Sequence, residues 1–336
     1  MLVFACETSC DETSICLLED KKIVEHIIYS QEIHSKHGGV VPELASRSHL
    51  EKLQEITHNL FSNSYISAEN IDLFAATCGP GLIGSLLVGS TYTKSLSLAY
   101  NKPFIPINHL EGHILSTSFN NDIIYPHIIL LLTGGHTQIY FMRNSKKIEF
   151  LGGSVDDAIG EAFDKTAKLL GLGYPGGAEI EKKALKGNEK FFNMPKPFLK
   201  DDNFNFSFSG IKTHINLLVK KNKVSKKFIE DVSASFQRTI LDIISQKLLT
   251  SLKILNERND EVKSISIVGG VSNNKYIRKN LENIFEEKGI NIYYPIKEMM
   301  SDNAAMIAWA CLNNYDDQKE NIFFRPDPRL EINEIL

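Results

Sequence analysis

Three segments of the chain share one pattern, in which a short apolar run leads into a turn rich in Gly, Ser, Thr and other polar residues. The apolar runs span residues 2–6, 128–132 and 265–268. A second apolar run follows each of the first two turns, at 15–18 and 139–142, so both segments are predicted to be β-hairpins. The third turn leads instead into residues with helical spacing, which predicts a strand, a glycine turn and a helix.

Between these turns lie stretches whose apolar or small residues recur at helical spacing. They predict helices over residues 49–61, 81–100, 156–170, 228–255 and 302–312. Ser301 or Asp302 is predicted to cap the last of these helices. Strands that alternate with helices indicate the α/β class. Because the two hairpins are similar and lie about 125 residues apart, the pattern favours duplicated halves over a short solenoid repeat.

The two hairpins and the later strand–turn–helix segment are arranged as in the superfamily of acetate and sugar kinases, Hsp70 and actin. Proteins of that duplicated actin-like ATPase (ASKHA) fold have two lobes, with a nucleotide in the cleft between them. We therefore predict an N-terminal lobe over residues 1–125 and a C-terminal lobe over 126–330. A basic helical insertion is predicted near 182–227 and a tail at 331–336. Similarity of fold does not by itself decide the reaction.

Composition excludes several classes of protein. The 336 residues are 43% hydrophobic and 23% charged, as is usual for a soluble globular protein. Five cysteines without a close Cys-x-x-Cys pair argue against a disulfide framework and a structural zinc knuckle. No apolar run approaches 18 residues, and no basic region precedes the short apolar N-terminus. We therefore expect a cytoplasmic protein with no signal peptide and no membrane span.

The distribution of charge is uneven. The net charge is −4, but residues 182–227 contain twelve Lys and only three acidic residues, a net +9. The remaining chain contains 25 basic and 38 acidic residues, a net −13. Such an asymmetry indicates a polyanionic partner such as a nucleic acid. A solvated helix face would account for the lysines equally well.

His109 and His113 are four residues apart. On a helix, two imidazoles with this spacing share one face and lie about 5–6 Å apart, as a shared metal ion requires. Glu111 would point away from that face, and the order of residues differs from the zinc proteases, in which Glu directly follows the first His. A third ligand would be a carboxylate from elsewhere in the chain. Chance produces the same spacing, so the pair alone leaves the metal site undecided.

Three turns could bind parts of a ligand. The two glycines of the turn 133–137 expose backbone amides, and its two threonines add hydroxyls, which suits a phosphate or acyl group. A tight hairpin without any ligand is the alternative. The turn 7–13 contains polar residues at the end of a buried strand, which favours a phosphate or metal site. The glycine-rich turn 171–177 is either a helix C-cap or backbone that approaches a ribose or purine.

Many short motifs occur along the chain in the order found in one enzyme family. They are ETSCDET at 7–13, GGVVPE at 38–43, GPGL at 79–82, HLEGH at 109–113, GGHT at 134–137, GEAFDK at 160–165, YPGG at 174–177, FSFSGIKT at 206–213, GGVSNN at 269–274 and DNAAMIA at 302–308. The chain resembles the tRNA adenosine threonylcarbamoyltransferase family (TsaD in bacteria) from near its N-terminus to Trp309. The number of motifs in the same order makes a chance match very improbable.

The resemblance implies a set of site residues. His109, His113 and Asp302 would bind one divalent transition metal ion, iron or zinc. The substrate threonylcarbamoyl-AMP would contact Thr133, Gly134, Gly135, His136, Thr137, Asp164, Gly177, Glu181 and Asn274. By their position on the first hairpin, Asp11 and Glu12 are the candidate proton acceptors, and the sequence does not choose between them.

The resemblance also implies a reaction and its partners. The threonylcarbamoyl group would pass from threonylcarbamoyl-AMP to the N6 amine of adenosine 37 in tRNAs that read codons beginning with A. Expected partners are tRNA, a non-catalytic paralogue (TsaB-like) and a small P-loop ATPase (TsaE-like). Two other functions stay open: a small-metabolite kinase or ATPase of the same fold, which the nucleotide-cleft layout supports, and a metallopeptidase, which only the paired histidines support.

Overall fold

A computed structural model describes residues 1–199, 201–313, 315 and 320–332 of the chain. Its strands form two five-stranded sheets. The first sheet contains β1 (Leu2–Glu7), β2 (Glu12–Glu19), β3 (Lys22–Ser30), β4 (Leu73–Gly79) and β5 (Phe104–Asn108). The second sheet contains β6 (His127–Leu132), β7 (Thr137–Met142), β8 (Ile148–Gly153), β9 (Ser264–Val268) and β10 (Asn291–Tyr293).

The two sheets have the same topology. In the first, the order is β3-β2-β1-β4-β5, and β1 pairs antiparallel with β2 and parallel with β4. In the second, the order is β8-β7-β6-β9-β10, and β6 pairs antiparallel with β7 and parallel with β9. Every residue of the central strands β1 and β6 is buried, which explains their continuous apolar runs. The repeated topology confirms the predicted duplication and the α/β class.

The helices surround these sheets. They are α1 (Pro42–Ser64), α2 (Ile83–Tyr100), α3 (His109–Leu115), α4 (Ile159–Leu169), α5 (Gly177–Ala184), α6 (Ser209–Lys221), α7 (Lys226–Glu257), α8 (Lys275–Glu286) and α9 (Ala304–Asn313). The cap of α9 is Asn303, whose Oδ1 accepts from the Met306 amide at 2.9 Å, and not the predicted Ser301 or Asp302. None of the helices in the described part of the chain combines the length and apolar character that crossing a bilayer requires.

The chain divides into two compact units. Unit 1 comprises Met1–Asn121 and the described residues from Pro295 onward, and unit 2 comprises Asp122–Tyr294. The first boundary lies within four residues of the predicted one. Residues 295–330 were predicted to belong to the C-terminal lobe, whereas the described residues of this segment belong to unit 1.

Packing and hydrogen bonds explain this return to unit 1. The helix α9 packs against β1, β2 and α3. Further on, the Asp327 amide donates to the Cys78 carbonyl at 2.9 Å, and Asn108 Nδ2 donates to the carbonyls of Leu330 and Glu331 at 3.3 and 2.9 Å. These partners are more than 200 residues apart, so a local pattern could not reveal them. Of the predicted tail 331–336, residues 333–336 lie outside the described residues.

The lysine-rich segment 182–227 is only partly helical. It contains the end of α5, all of α6 and the first residues of α7. The described residues of 185–208 form no helix, in part because Pro195 and Pro197 lack the amide hydrogen that a helix requires. Within the predicted insertion the structure has a helix at α6 and none in the described residues of 185–208.

Candidate functional site

The three expected metal ligands lie together in unit 1. His109 begins α3, which Asn108 caps by accepting from the Leu110 amide at 2.8 Å. His113 lies one turn later, and the two imidazole rings are 4.9 Å apart at 88°. Asp302 lies just before α9, with Oδ1 3.0 Å from His113 Nε2 and 3.7 Å from His109 Nε2. The structure thus brings a carboxylate from the far end of the chain to the predicted histidine pair.

The chemistry of this group fits a transition metal ion. One ligand atom from each of the three side chains lies within 4.8 Å of the other two. Two imidazole nitrogens and a carboxylate oxygen are a donor set that iron, zinc and manganese accept. Both histidines are buried while Asp302 is partly exposed, which leaves a side of the group open to a further ligand. His109, His113 and Asp302 could therefore hold one metal ion.

Glu7, the last residue of β1, lies behind His109. Its Oε2 is 3.2 Å from His109 Nδ1, the ring nitrogen other than the one that faces Asp302. The Ser9 amide donates to Glu7 Oε1 at 2.5 Å, and the Thr77 hydroxyl donates to Oε2. A carboxylate behind a ligating histidine fixes the orientation and tautomer of its ring. The sequence placed Glu7 in a turn that favours a phosphate or metal site but did not predict its contact with His109, which lies 102 residues further along the chain.

The carboxylates give the two histidines different proton affinities. Burial lowers the pKa of His109, but the charges of Glu7 and Asp302 and the hydrogen bond that His109 donates to Glu7 outweigh it and raise the pKa to about 9. At His113 burial dominates and lowers the pKa. The negative charge of Glu7 and Asp302 therefore favours a cation at this position, and a metal ion would supply one.

Asp11 and Glu12, the candidate proton acceptors, lie in the same unit. Asp11 is in the loop between β1 and β2, and Glu12 begins β2. Burial raises the pKa of Glu12 to about 9, and the negative charges of Asp302 and Asp11 add to the effect. The structure thus brings Glu12 within electrostatic range of Asp302, and Asp11 within range of Glu12.

The turn 133–137, between β6 and β7, lies in unit 2. The Thr133 amide donates to the His136 carbonyl, and the His136 amide donates back to the Thr133 hydroxyl, both at 2.9 Å. The Thr137 hydroxyl accepts from the Ile159 amide at 2.7 Å. The sequence suggested that these hydroxyls flank a ligand. In the structure they shape the turn and join it to α4, because local backbone amides already donate to their oxygens.

Gly134 and Gly135 at the tip of this turn have open space beside them. A Cβ placed on either glycine would meet nothing within 4 Å, and neither residue has the positive φ that favours glycine. Gly160 is different, because a Cβ there would lie 2.6 Å from Gly134 Cα. Internal packing therefore requires glycine at 160 but not at 134 or 135. A ligand that approached the backbone at 134 and 135 would account for glycine at those two positions.

The other expected substrate residues support the turns around α5 and α8. Asp164 Oδ1 accepts from the Gly176 amide at 2.6 Å and holds the turn before α5, which begins at Gly177. Glu181 Oε1 accepts from the Lys275 amide, the first of α8, at 2.7 Å. Glu181 and the start of α8 are therefore in direct contact within unit 2.

Asn274 is the cap of α8 and uses both ends of its amide. Its Oδ1 accepts from the Ile277 amide at 3.0 Å, and its Nδ2 donates to Gln237 Oε1 at 2.9 Å. Gln237 also lines a cavity of about 450 Å³ together with Glu189 and Tyr276. Replacing Asn274 would therefore disturb the helix cap and Gln237 as well as any ligand nearby, so it is a poor test of ligand binding.

Comparison with known sequences agrees with this geometry. A family model described as tRNA N6-adenosine threonylcarbamoyltransferase matches residues 22–309. A protein of that name from Thermosipho melanesiensis is 46% identical over 338 residues, which cover 98% of this chain and 100% of the relative. Another of that name, from Rickettsia bellii, is 43% identical over 319 residues, 94% of each chain.

Solved structures with low sequence identity share the fold. Full-length HypF in its phosphate- and nucleotide-bound form aligns with a TM-score of 0.61 at 15% identity, over 96% of this chain and 47% of that one. The activator of 2-hydroxyisocaproyl-CoA dehydratase from Clostridium difficile aligns with a TM-score of 0.51 at 15% identity, over 96% and 99%. These likenesses agree with a duplicated actin-like α/β fold and carry no functional argument. The sequence matches decide the family: the chain belongs to the tRNA N6-adenosine threonylcarbamoyltransferases.

Proposed function

We propose that this transferase moves the threonylcarbamoyl group of threonylcarbamoyl-AMP to the N6 amine of adenosine 37 in tRNAs that read codons beginning with A. The observation that carries the proposal, together with family membership, is the His109–His113–Asp302 group with Glu7 behind it. A metabolite kinase of the same fold has no need of this group. In the zinc proteases the catalytic Glu directly follows the first His, whereas here Glu111 lies two residues after His109 and is completely buried.

The reaction requires one proton transfer. The N6 nitrogen forms a bond to the carbamoyl carbon, the bond from that carbon to the phosphate oxygen breaks, and AMP leaves. The attacking amine must lose a proton, and we propose that the Asp11–Glu12 pair accepts it. With a pKa of about 9 Glu12 would hold its own proton at neutral pH, but a metal ion at the adjacent ligand group would offset the negative charge of Asp302 and lower that pKa. The support is that Glu12 lies within electrostatic range of Asp302 and that Asp11 lies within range of Glu12.

We propose iron(II) as the metal that His109, His113 and Asp302 hold, with zinc(II) as the other candidate. A metal ion held there would stabilise the negative charge that develops on the carbonyl or the departing phosphate. Glu7 would keep the His109 ring oriented for this role through its contact with Nδ1.

The adenylate would bind to unit 2. We propose that the backbone amides of Gly134 and Gly135 hold its phosphate or acyl group, since the space beside both glycines is open. Asp164, Gly177, Glu181 and Asn274 would shape the site for the nucleoside, and the cavity lined by Gln237 lies next to Asn274.

Gly134→Ala tests the adenylate site without disturbing the fold. The new methyl group meets no protein atom within 4 Å and needs no positive φ, so we expect an unchanged melting temperature. It occupies the space proposed for the adenylate, so affinity for a non-hydrolysable threonylcarbamoyl-adenylate analogue should fall about tenfold or more, at least ~1.4 kcal/mol. Calorimetric titration measures the affinity.

A matched control for this variant is Gly210→Ala on α6, where the new Cβ would lie 3.9 Å from Pro197 Cγ. This control should bind the analogue as tightly as the unchanged protein. Normal binding by Gly134→Ala and by Gly135→Ala would show that these amides do not hold the adenylate.

We propose that the lysine-rich segment 182–227 contacts the phosphate backbone of tRNA. Lys220, Lys221 and Lys226, at the end of α6 and the start of α7, are exposed and are the leading candidates. Lys227 is a weaker one, because it forms an ion pair with the buried carboxylate of Asp231 at 2.9 Å. Such contacts position the RNA and do not read its sequence.

Neutralising Lys220, Lys221 and Lys226 to Gln should weaken the binding of every tRNA alike. Each lost phosphate contact should lower the slope of log affinity against log salt by about 0.7–0.9. Binding assays at several salt concentrations, with the partner proteins present, measure this slope. Neutralising the exposed Lys22 and Lys288, outside the segment, is the control. An unchanged slope in the triple variant would mean that these lysines only solvate the helix ends.

We further propose that a non-catalytic paralogue and a small P-loop ATPase assist the enzyme, and that it acts in the cytoplasm. The resemblance to the bacterial family supports the two partners. The cytoplasm is the compartment in which its tRNA substrate is found.

A further inference from the structure

Unit 1 buries three polar side chains behind the loop that carries Asp11, and neither the metal nor the adenylate site uses them. They are Gln31, His34 and His49. Gln31 directly follows β3, His34 lies in the 3-10 helix Glu32–His37, and His49 lies on α1. The motif GGVVPE at 38–43, which lies between His34 and His49 in the chain, also has no role in the proposed chemistry. All three side chains are almost completely buried, so their hydrogen bonds have to be satisfied within the protein.

The contacts of His49 determine its tautomer. Its Nε2 lies 3.0 Å from the carbonyl oxygen of Cys10. A carbonyl can only accept, so Nε2 carries the hydrogen. In a neutral ring Nδ1 is then an acceptor, and it receives hydrogen bonds from the Thr13 hydroxyl at 2.7 Å and from Gln31 Nε2 at 3.2 Å. Burial lowers the pKa of His49, which agrees with a neutral ring.

The contacts of Gln31 and His34 have equally fixed directions. Gln31 Nε2 also lies 3.2 Å from the carbonyl oxygen of Ala45, which identifies it as the amide nitrogen. Gln31 Oε1 therefore accepts from His34 Nε2 at 2.9 Å. His34 Nδ1 is left as an acceptor and receives the Val41 amide at 3.2 Å. The tautomer of His34 is thus determined independently from both sides of its ring.

Together these bonds form one directed chain, from the Val41 amide through His34, Gln31 and His49 to the Cys10 carbonyl. The backbone amide of Gln31 adds a bond to the Asp11 carbonyl at 3.2 Å. The side-chain bonds thus hold the Cys10 carbonyl, and the backbone of Gln31 holds the Asp11 carbonyl next to it. Reversing any one bond would set two donors or two acceptors against each other in a buried place, at a cost of about 1–3 kcal/mol.

We propose that Gln31, His34 and His49 are positioning residues, whose directed hydrogen-bond chain holds the Cys10–Asp11 backbone so that the Asp11 and Glu12 carboxylates keep one orientation. The inference rests on the proposed role of Asp11 and Glu12 as proton acceptors. A displacement of about 1 Å at a reacting group costs as much as 10²-fold in rate. Loss of the hydrogen-bond chain would therefore lower kcat.

The direction of the chain can be tested without any measurement of activity. In the full-length protein labelled with ¹⁵N-histidine, NMR at neutral pH should show the Nε2–H tautomer for both His34 and His49. The signals that disappear in His49→Gln and in His34→Gln assign the two residues. An Nδ1–H tautomer at either residue, or rapid exchange between tautomers, would contradict the direction of these hydrogen bonds.

The positioning role is tested by two variants at His49. A glutamine amide can still donate to the Cys10 carbonyl, so His49→Gln should keep kcat within about threefold, whereas His49→Leu should lower it about 10–100-fold. The KM for tRNA and the metal content should not change in either variant. Equal kcat values in the two, or a loss that appears in KM or in metal content, would overturn the positioning role.

Gln31→Glu keeps the test decisive if His49→Leu does not fold. The carboxylate of this variant cannot donate to His49 or to the Ala45 carbonyl, so kcat should fall about 10–100-fold while metal content is kept. Full kcat in Gln31→Glu overturns the positioning role. Full kcat in Asp11→Asn and Glu12→Gln, with both tautomers as expected, overturns the proposed role of the carboxylates but leaves the direction of the chain intact.

Discussion

Replacing His109 and His113 together with alanine is expected to reduce the metal content from about one ion per chain to nearly none. Asp302 would then be the single remaining ligand of the group, and one carboxylate does not retain a transition metal. Because the charge stabilisation that the ion supplies amounts to several kcal/mol, transfer activity should fall by about 10³-fold or more. Elemental analysis of the purified protein measures the metal content directly.

A graded series sharpens this test. Glu7→Gln keeps the shape of the side chain behind His109 but removes its charge, so metal affinity should fall about 10–100-fold without being lost. Competition with a chromophoric chelator measures that affinity. The exposed His58, replaced by alanine, is the control for loss of a histidine. Full metal occupancy in the double variant at His109 and His113 would contradict the assignment of the ligands.

Replacing the carboxylates of Asp11 and Glu12 by amides is expected to produce the second large effect. Asp11→Asn and Glu12→Gln preserve size and remove the ability to take a proton at neutral pH. The variant at the true proton acceptor should lose about 10²–10⁴-fold in kcat, and the other variant much less. Single-turnover assays with preformed threonylcarbamoyl-AMP isolate this step from substrate supply.

Affinity for the adenylate analogue should stay the same in both variants, because the residues proposed to bind it belong to the turns of unit 2. Glu19→Gln, at the exposed far end of β2, is the matched control and should keep full activity. Normal kcat in both Asp11→Asn and Glu12→Gln would remove these carboxylates from the mechanism.

The parts of the fold that depend on neighbouring residues were predictable from the sequence. In the hairpins at the start of each unit, and in the strand–turn–helix segment that begins with β9, the apolar runs and the turn residues are neighbours in the chain. The local pattern is therefore enough to predict them. The histidine pair was predictable for the same reason, because α3 sets the spacing of His109 and His113.

The remaining features depend on contacts between distant residues. The contact of Glu7 with His109 spans 102 residues, and the bonds of Asn108 to the C-terminal segment span more than 220. The spacing of apolar residues along the chain predicts helices and strands, but it does not predict contacts between residues so far apart in sequence. The sequence also could not show that Thr133 and Thr137 use their hydroxyls within unit 2, since the acceptor role depends on where the His136 and Ile159 amides lie.

The return of the chain to unit 1 sets an order of events during translation. At about 5–20 residues per second, Asp302 is synthesised roughly 10–40 s after His109, which it must join. Unit 2, the continuous segment Asp122–Tyr294, is complete by then and can fold on the ribosome first. Until Asp302 emerges, the nascent chain presents two histidines without their carboxylate partner. Metal insertion is therefore expected only after Asp302 has joined the two histidines, once both units have been synthesised up to that residue.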